Sequence, residues 1–323
     1  MRDTILYDSA FRLFGDHVSP KLLAAAETGA WPAELWAEVE RAGYLDVLAE
    51  GPSGMVEAAT ILRAAGHHAA PIPLAETMLA RWLCAAAGID APEGPLTIAP
   101  VEPEDEAGSI PWGRAAAALV TVGEGRVQIG KSRFEAGNNL AGEPRDRLIG
   151  FEAVHSAELP ATIHRDRVLG LGALMRAAQM AGAMEAALDL STRYANDRVQ
   201  FGRPIGKFQA IQQQMALLAE EVAASLVAVE SAAVAVAETR ASADFAIAAA
   251  KIRAGIAAGR VAEIAHQVHG AIGFTEEHAL HWLTRRLWSW RDEFGDESWW
   301  ALSLGRQIAS AGAGGLWPLI TTP

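Results

Sequence analysis

The chain has 323 residues, 51% hydrophobic and 20% charged, which is enough apolar material for a large core and two or three domains. A formal net charge of −12 argues against nucleic acid or an anionic membrane as partner, although a local basic site can still take an anionic cofactor. With Cys84 as the single cysteine, neither an intrachain disulfide framework nor a cysteine zinc site is possible.

The first residues, MRDTILYDSAFRLFGDH, lack the apolar stretch of a secretory signal. From there to about Asp90 the pattern is helical and alanine-rich. Pro32 and Gly43 bracket one helix, with Leu35, Trp36 and Val39 on its core face. Further helices are expected from about Met55 to Gly66 and from about Leu74 to Gly88, with His67-His68 in the turn between them. Those tandem histidines have no acidic or thiol neighbour at ligand spacing, so no metal is expected there.

From about Pro95 the texture changes to short β-like runs, 96–99, 118–122 and 126–129, with a fourth from Phe151 to Val154. From about His164 the chain reads as long helices, 164–196, 205–240, 243–271, 276–291 and 298–309, followed by a loose tail from Ala311. Long segments with short connections predict an antiparallel four-helix bundle with a trailing helix. The most apolar region, Val222 to Ala262, is interrupted by Glu230, Glu238, Arg240, Asp244, Lys251 and Arg253. That pattern suits a buried bundle rather than a membrane span, and the expected location is the cytoplasm.

One connection stands out, Tyr194 to Met215. It places Arg198, Phe201 and Gly202 before Pro204 and follows them with Gln209, Gln212, Gln213 and Gln214. Gly202-Arg203-Pro204 breaks a helix, because proline lacks an N–H and pushes its predecessor out of the helical region. An arginine and an aromatic ring beside a glycine can grip a flat ligand that carries phosphate; a solvated loop anchored by a buried Phe is the plainer alternative.

The same stretch resembles a known pattern. Arg198, Phe201, Gly202, Pro204, Ile205, Phe208, Gln209 and Gln212 follow R-x-x-F-G-x-P-I-x-x-F-Q-x-x-Q, and Gln267, Gly270, Gly273, Phe274, Thr275 and Glu277 follow Q-x-x-G-x-x-G-F-T-x-E. Both patterns resemble those of the acyl-CoA dehydrogenases, which are FAD enzymes. The resemblance implies a mainly α fold with a small β insert: an N-terminal helical domain (1–94), a shortened β domain (95–162) and a C-terminal four-helix bundle (163–323). It also implies that Arg198, Phe201, Gln209, Gln267, Gly270, Ala271 and Gly273 hold the adenine and pyrophosphate end of an FAD shared across a subunit interface. Ala271 stands where the family usually has a second glycine, which is tolerable unless the backbone there needs φ > 0.

The reaction that the resemblance implies, α,β-dehydrogenation of an acyl-CoA thioester, needs a carboxylate to take the α proton. One branch places it nine residues after an arginine; counted from Arg285, that position is Phe294, with the matching glycine at Gly295. Another branch places it near the start of the first bundle helix, here about Gly172. Glu293 and Asp296 flank the vacancy, but one residue along a helix turns a side chain by about 100°. Asp296 also suits the N-cap of the final helix, with Glu297 near its positive end. The β domain lacks the segment that carries the flavin-ring contacts in the family, and Gly108-Ser109-Ile110 is too short a remnant of the acyl loop. Trp282, Trp288, Trp290, Trp299 and Trp300 cannot all face one core, so some are expected at an interface or an apolar pocket. His266, His269, His278 and His281 pair at i,i+3 without a completing carboxylate, and no metal is expected.

What is retained serves a neighbour's FAD, and what is lost serves this chain's own catalysis. The resemblance therefore implies a degenerate subunit of a heteromeric acyl-CoA dehydrogenase, an α2β2 heterotetramer of the kind used in steroid side-chain degradation, whose full-length partner supplies the base. A homo-oligomeric enzyme with Glu293 or Asp296 as base, and a flavin-free scaffold, are the alternatives.

Overall fold

The computed structural model describes residues 4–51, 53–99, 109–312 and 314–321. The N-terminal part is helical: α1 (Thr4–His17), α2 (Pro20–Glu27), α3 (Ala33–Arg41), α4 (Gly54–His67) and α5 (Leu74–Ala86). Ser19 caps α2 by accepting from Leu22 N at 3.2 Å, and Pro20 occupies the first turn, where its missing N–H costs nothing. Pro32 stands just before α3 rather than within it, and Leu35, Trp36 and Val39 face the core as their spacing predicts.

A five-stranded sheet follows: β1 (Leu96–Ala99), β2 (Ser109–Pro111), β3 (Ala118–Gly123), β4 (Arg126–Glu135) and β5 (Arg145–Glu158), in the order β1-β3-β4-β5-β2. β1 runs parallel to β3, and the other pairings are antiparallel. Val120 opposite Ile129 and Val122 opposite Val127 put the β-branched pairs of β3 and β4 into the core. β5 is much longer than the 151–154 run, because most of its side chains are exposed and little apolar alternation marks them in sequence. Gly108 lies outside the described residues, while Ser109 and Ile110 belong to β2.

The remainder is α6 (Arg165–Asp197), a two-stranded hairpin of β6 (Val199–Gln200) and β7 (Arg203–Pro204), α7 (Gln209–Ala237), α8 (Ala243–His269), α9 (Leu280–Asp292), α10 (Glu297–Ala311) and α11 (Leu316–Thr321). Two expectations need correction. α7 starts at Gln209 rather than Ile205, because Pro204 closes the hairpin and 205–207 form a single 3₁₀ turn. The tail expected from Ala311 holds a short helix, in which Pro318 sits within the first turn.

α6 is the axis of the molecule, with α4, α7, α8 and α9 around it. Its approach to α4 is backbone to backbone: a Cβ on Gly182 would lie 1.9 Å from Arg63 O, and one on Gly66 would lie 2.0 Å from Gln179 O. The hydrophobic core runs without a break from α1 and α4 through α6 into α8 and α9, so the N-terminal helices and the bundle share one interior. Among the described residues, no helix is long and apolar enough to cross a membrane.

Candidate functional site

Two places bear on function, and they differ in kind. The first is an open groove of about 690 Å³ at the ends of α6 and α8. α6 stops at Asp197, and the chain reverses through a hairpin whose central residues, Phe201 (φ 52°) and Gly202 (φ 78°), are both left-handed. A two-residue turn with both central φ positive is the form that suits strand twist, and Asn-Gly is its usual occupant. Phe201 there is strained, and the residue is 91% exposed. The Arg203 guanidinium lies over the Phe208 ring at 4.2 Å, which stiffens the base of the hairpin.

Across the groove, α8 ends at Gly270 (φ 64°, ψ −144°), a conformation that L residues rarely adopt. Arg198, Phe201, Gln267, Gly270 and Ala271 all line this space. Gln209 does not: it is exposed at the first turn of α7. Gly273 lies beneath the surface instead, where a Cβ would meet the His269 Cβ at 2.9 Å. Ala271 is outside the left-handed region, so its extra methyl carries no backbone penalty. Among the described residues, Arg198 has no carboxylate partner, which leaves its guanidinium available to an anion. The sequence reading missed Tyr194 and His269, which also line the groove and stack on each other with ring centroids 4.7 Å apart.

The second place is the junction of α9 and α10, where the two positions at which a base is expected, Phe294 and Gly172, meet. Phe294 is left-handed (φ 54°) and half-buried, and a Cβ built on Gly172 would lie 2.5 Å from its ring. The ring occupies the volume that a side chain at 172 would need. Lys251 is fully buried and donates to Arg291 O and Gly295 O, each at 2.6 Å, so it clamps the backbone on both sides of Phe294. Burial pulls its ammonium down to about 8.

Glu293 points into the protein, 5% exposed, with Arg145 at 2.6 Å and Arg176 at 2.5 Å. Arg176 also holds Glu76 and Gln179, and nearby Glu143 accepts from Trp290 Nε1 at 3.0 Å and pairs with Arg286 at 3.0 Å. Burial raises the Glu293 carboxyl, and Arg145 and then Arg176 pull it back. Asp296 accepts from Trp299 N at 2.7 Å and caps α10, while Glu297 pairs with Arg291 through two nitrogens. Glu293, Asp296 and Glu297 are therefore each already engaged. Arg145, Glu293 and Phe294 line a cleft of about 300 Å³ between the sheet and the bundle.

The tryptophans divide by depth: Trp290 and Trp300 are buried, whereas Trp288 and Trp299 are substantially exposed. Among the described residues, no group of three His, Cys, Asp or Glu is placed to hold a metal.

Residues 165–292 match the family description "Acyl-CoA dehydrogenase, C-terminal domain". The chain is 35% identical over 155 residues to acyl-CoA dehydrogenase IpdE2 of Mycobacterium tuberculosis, an alignment that covers 48% of this chain and 46% of that one. The match thus spans about half the length of that curated relative. Solved structures extend the likeness to the whole chain. A variant of the Tcur3481-Tcur3483 steroid ACAD superposes with a TM-score of 0.84 at 25% identity, covering 96% of this chain and 98% of that one. The ChsE4-ChsE5 complex of Mycobacterium tuberculosis gives 0.84 at 22% identity, over 97% and 99%. Residues 165–292 thus match the acyl-CoA dehydrogenase C-terminal domain by sequence, and the full architecture is like that of solved acyl-CoA dehydrogenase structures.

Proposed function

We propose that this chain is the non-catalytic member of a heteromeric, FAD-dependent acyl-CoA dehydrogenase. Its groove takes the adenosine and pyrophosphate end of an FAD shared with a full-length partner subunit, and that partner supplies the catalytic base. The observation that carries this reading is the contrast between the two places. The groove has a free guanidinium, an exposed Gln267 amide, an exposed aromatic ring and a glycine-permitted backbone turn. At the base position, Phe294 is packed on Gly172, Glu293 is tied to two arginines and Asp296 is committed to a helix cap.

The donor set fits a dinucleotide. Arg198 suits the pyrophosphate, the Gln267 amide suits a ribose or base edge, and Phe201 offers a face to a flat ring. FAD, when bound, supplies the hydride acceptor for dehydrogenation of an acyl-CoA thioester. This chain's part is to bind and orient the far end of that group. Support for a two-chain assembly comes from the fold neighbours, since the Tcur3481-Tcur3483 name joins two chains and ChsE4-ChsE5 is a complex. A steroid-type acyl group is the substrate class that the Tcur3481-Tcur3483 name favours.

The test is Arg198→Ala in this chain, copurified with its partner. One charge-assisted contact to pyrophosphate is worth about 1.5–3 kcal/mol, so FAD affinity should fall by roughly 10- to 100-fold and the flavin-to-protein ratio should drop. Undiminished flavin content would remove the groove from the account. The homomeric alternative has one feature in its favour, that Glu293 lines the cleft between sheet and bundle. It requires Glu293→Gln to abolish turnover in a chain that stays folded and flavin-loaded.

A further inference from the structure

His269 is the last residue of α8 and lines the groove, yet it is only 3% exposed. Its Nδ1 lies 2.7 Å from Ala265 O, a bond that requires the proton on Nδ1 and leaves Nε2 as a hydrogen-bond acceptor. That Nε2 is buried and has no partner. Tyr194 stacks on the ring at 4.7 Å and His278 packs against it at 4.6 Å, so the imidazole is held in one orientation. Burial keeps its pKa below the ordinary value, and so does His266 nearby.

A buried acceptor left unmade costs about 1–3 kcal/mol, and native chains satisfy nearly all such atoms. The surroundings limit what can satisfy this one. The same groove offers Arg198 to an anion and Tyr194, Phe201 and Phe208 to a flat ring. A ligand that combines an anionic group, a planar heterocycle and an N–H or O–H donor is a nucleotide.

We infer that His269 is a specificity-determining residue of the groove, whose Nε2 accepts a hydrogen bond from the nucleoside end of the bound dinucleotide, either the exocyclic amine of adenine or a ribose hydroxyl. The inference rests on the reading that the groove takes FAD. It adds the residue that distinguishes adenosine from nucleosides without the matching donor.

The experiment is a set of calorimetric titrations into the apo complex of this chain with its partner. The ligands are FAD, its hypoxanthine analogue, which lacks the exocyclic amine, and its 2′-deoxyadenosine analogue. The proteins are wild type, His269→Phe, which keeps a stacking ring without the acceptor, and His269→Gln, which keeps an acceptor. His269→Phe should weaken FAD by about 10-fold, and His269→Gln should recover most of that. One analogue should bind wild type about 10-fold more weakly than FAD and be indifferent to His269→Phe, which identifies the donor. FAD binding to His269→Phe at wild-type affinity would overturn the inference, with water satisfying Nε2. Parallel weakening of all three ligands would also overturn it, because that pattern reports repacking of Tyr194. Full affinity in Arg198→Ala, by contrast, would count against the groove reading itself.

Discussion

Asp296 and Glu293 show how two acids in one short stretch acquire different work. Asp296 holds the N-cap of α10, a role that asparagine performs equally well. Asp296→Asn should therefore leave both thermal stability and turnover of the complex near wild type, while Asp296→Ala should cost about 1 kcal/mol in denaturant unfolding. Loss of turnover in a stable Asp296→Asn complex would make it a base after all. Glu293 belongs to a buried set with Arg145, Arg176, Glu76, Glu143 and Arg286. Removing one charge from such a set strands its partners, so Glu293→Gln should lower unfolding free energy by about 3 kcal/mol whatever it does to activity. A variant as stable as wild type would mean that the set is not energetically coupled.

His68 supplies a pH dependence. Burial, and then neighbouring His67, hold its imidazole down to about 4, against an ordinary value of 6.5. Between those values the unfolded chain binds the proton and the folded chain does not, so stability is full above about pH 6.5 and is lost as pH falls toward 4. Discounted for its partial exposure, the contribution is on the order of 1–2 kcal/mol. His68→Phe, which keeps the contact with Phe11, should flatten that limb of the pH–stability curve; an unchanged slope would place the titration elsewhere.

At the scale of elements, α6 and α4 decide whether the molecule assembles. Gly182→Ala forces a Cβ into Arg63 O, a contact that no side-chain rearrangement can relieve, and should cost at least about 3 kcal/mol. Gly305→Ala, on the exposed face of α10 with nothing within 4 Å, should be neutral or stabilise by up to about 1 kcal/mol. Equal unfolding midpoints for the two variants would contradict the close helix contact.

The long helices were legible in the sequence, because alanine-rich runs bounded by Pro, Gly and Ser caps state their ends locally, as were β1 and β3, whereas β2 and most of β4 and β5 were not. The hairpin at 199–204 was not. Its turn carries Phe where Asn is usual, and Pro204 reads as a helix opener when no strand pattern precedes it. The groove was legible as residue types, but Tyr194 and His269 entered only once two helix ends were brought together. The engagement of Glu293 was invisible, since Arg145 and Arg176 come from β5 and α6 and no local pattern announces a buried ion pair.

Across the whole molecule, a continuous core supports the Phe294–Gly172 contact near the start of α6 and an open, arginine-bearing groove at its other end. The proposed role, completing another subunit's cofactor site rather than turning over substrate alone, rests on Phe294 packed on Gly172 and on Arg198, which has no carboxylate partner among the described residues. The most direct test of that claim is a visible absorption spectrum with light-scattering mass, taken on the chain purified alone and again with its genomic neighbour. The expected result is a colourless chain alone and a yellow hetero-oligomer with about one FAD per pair of chains. A yellow homo-oligomer carrying about one FAD per chain would contradict it.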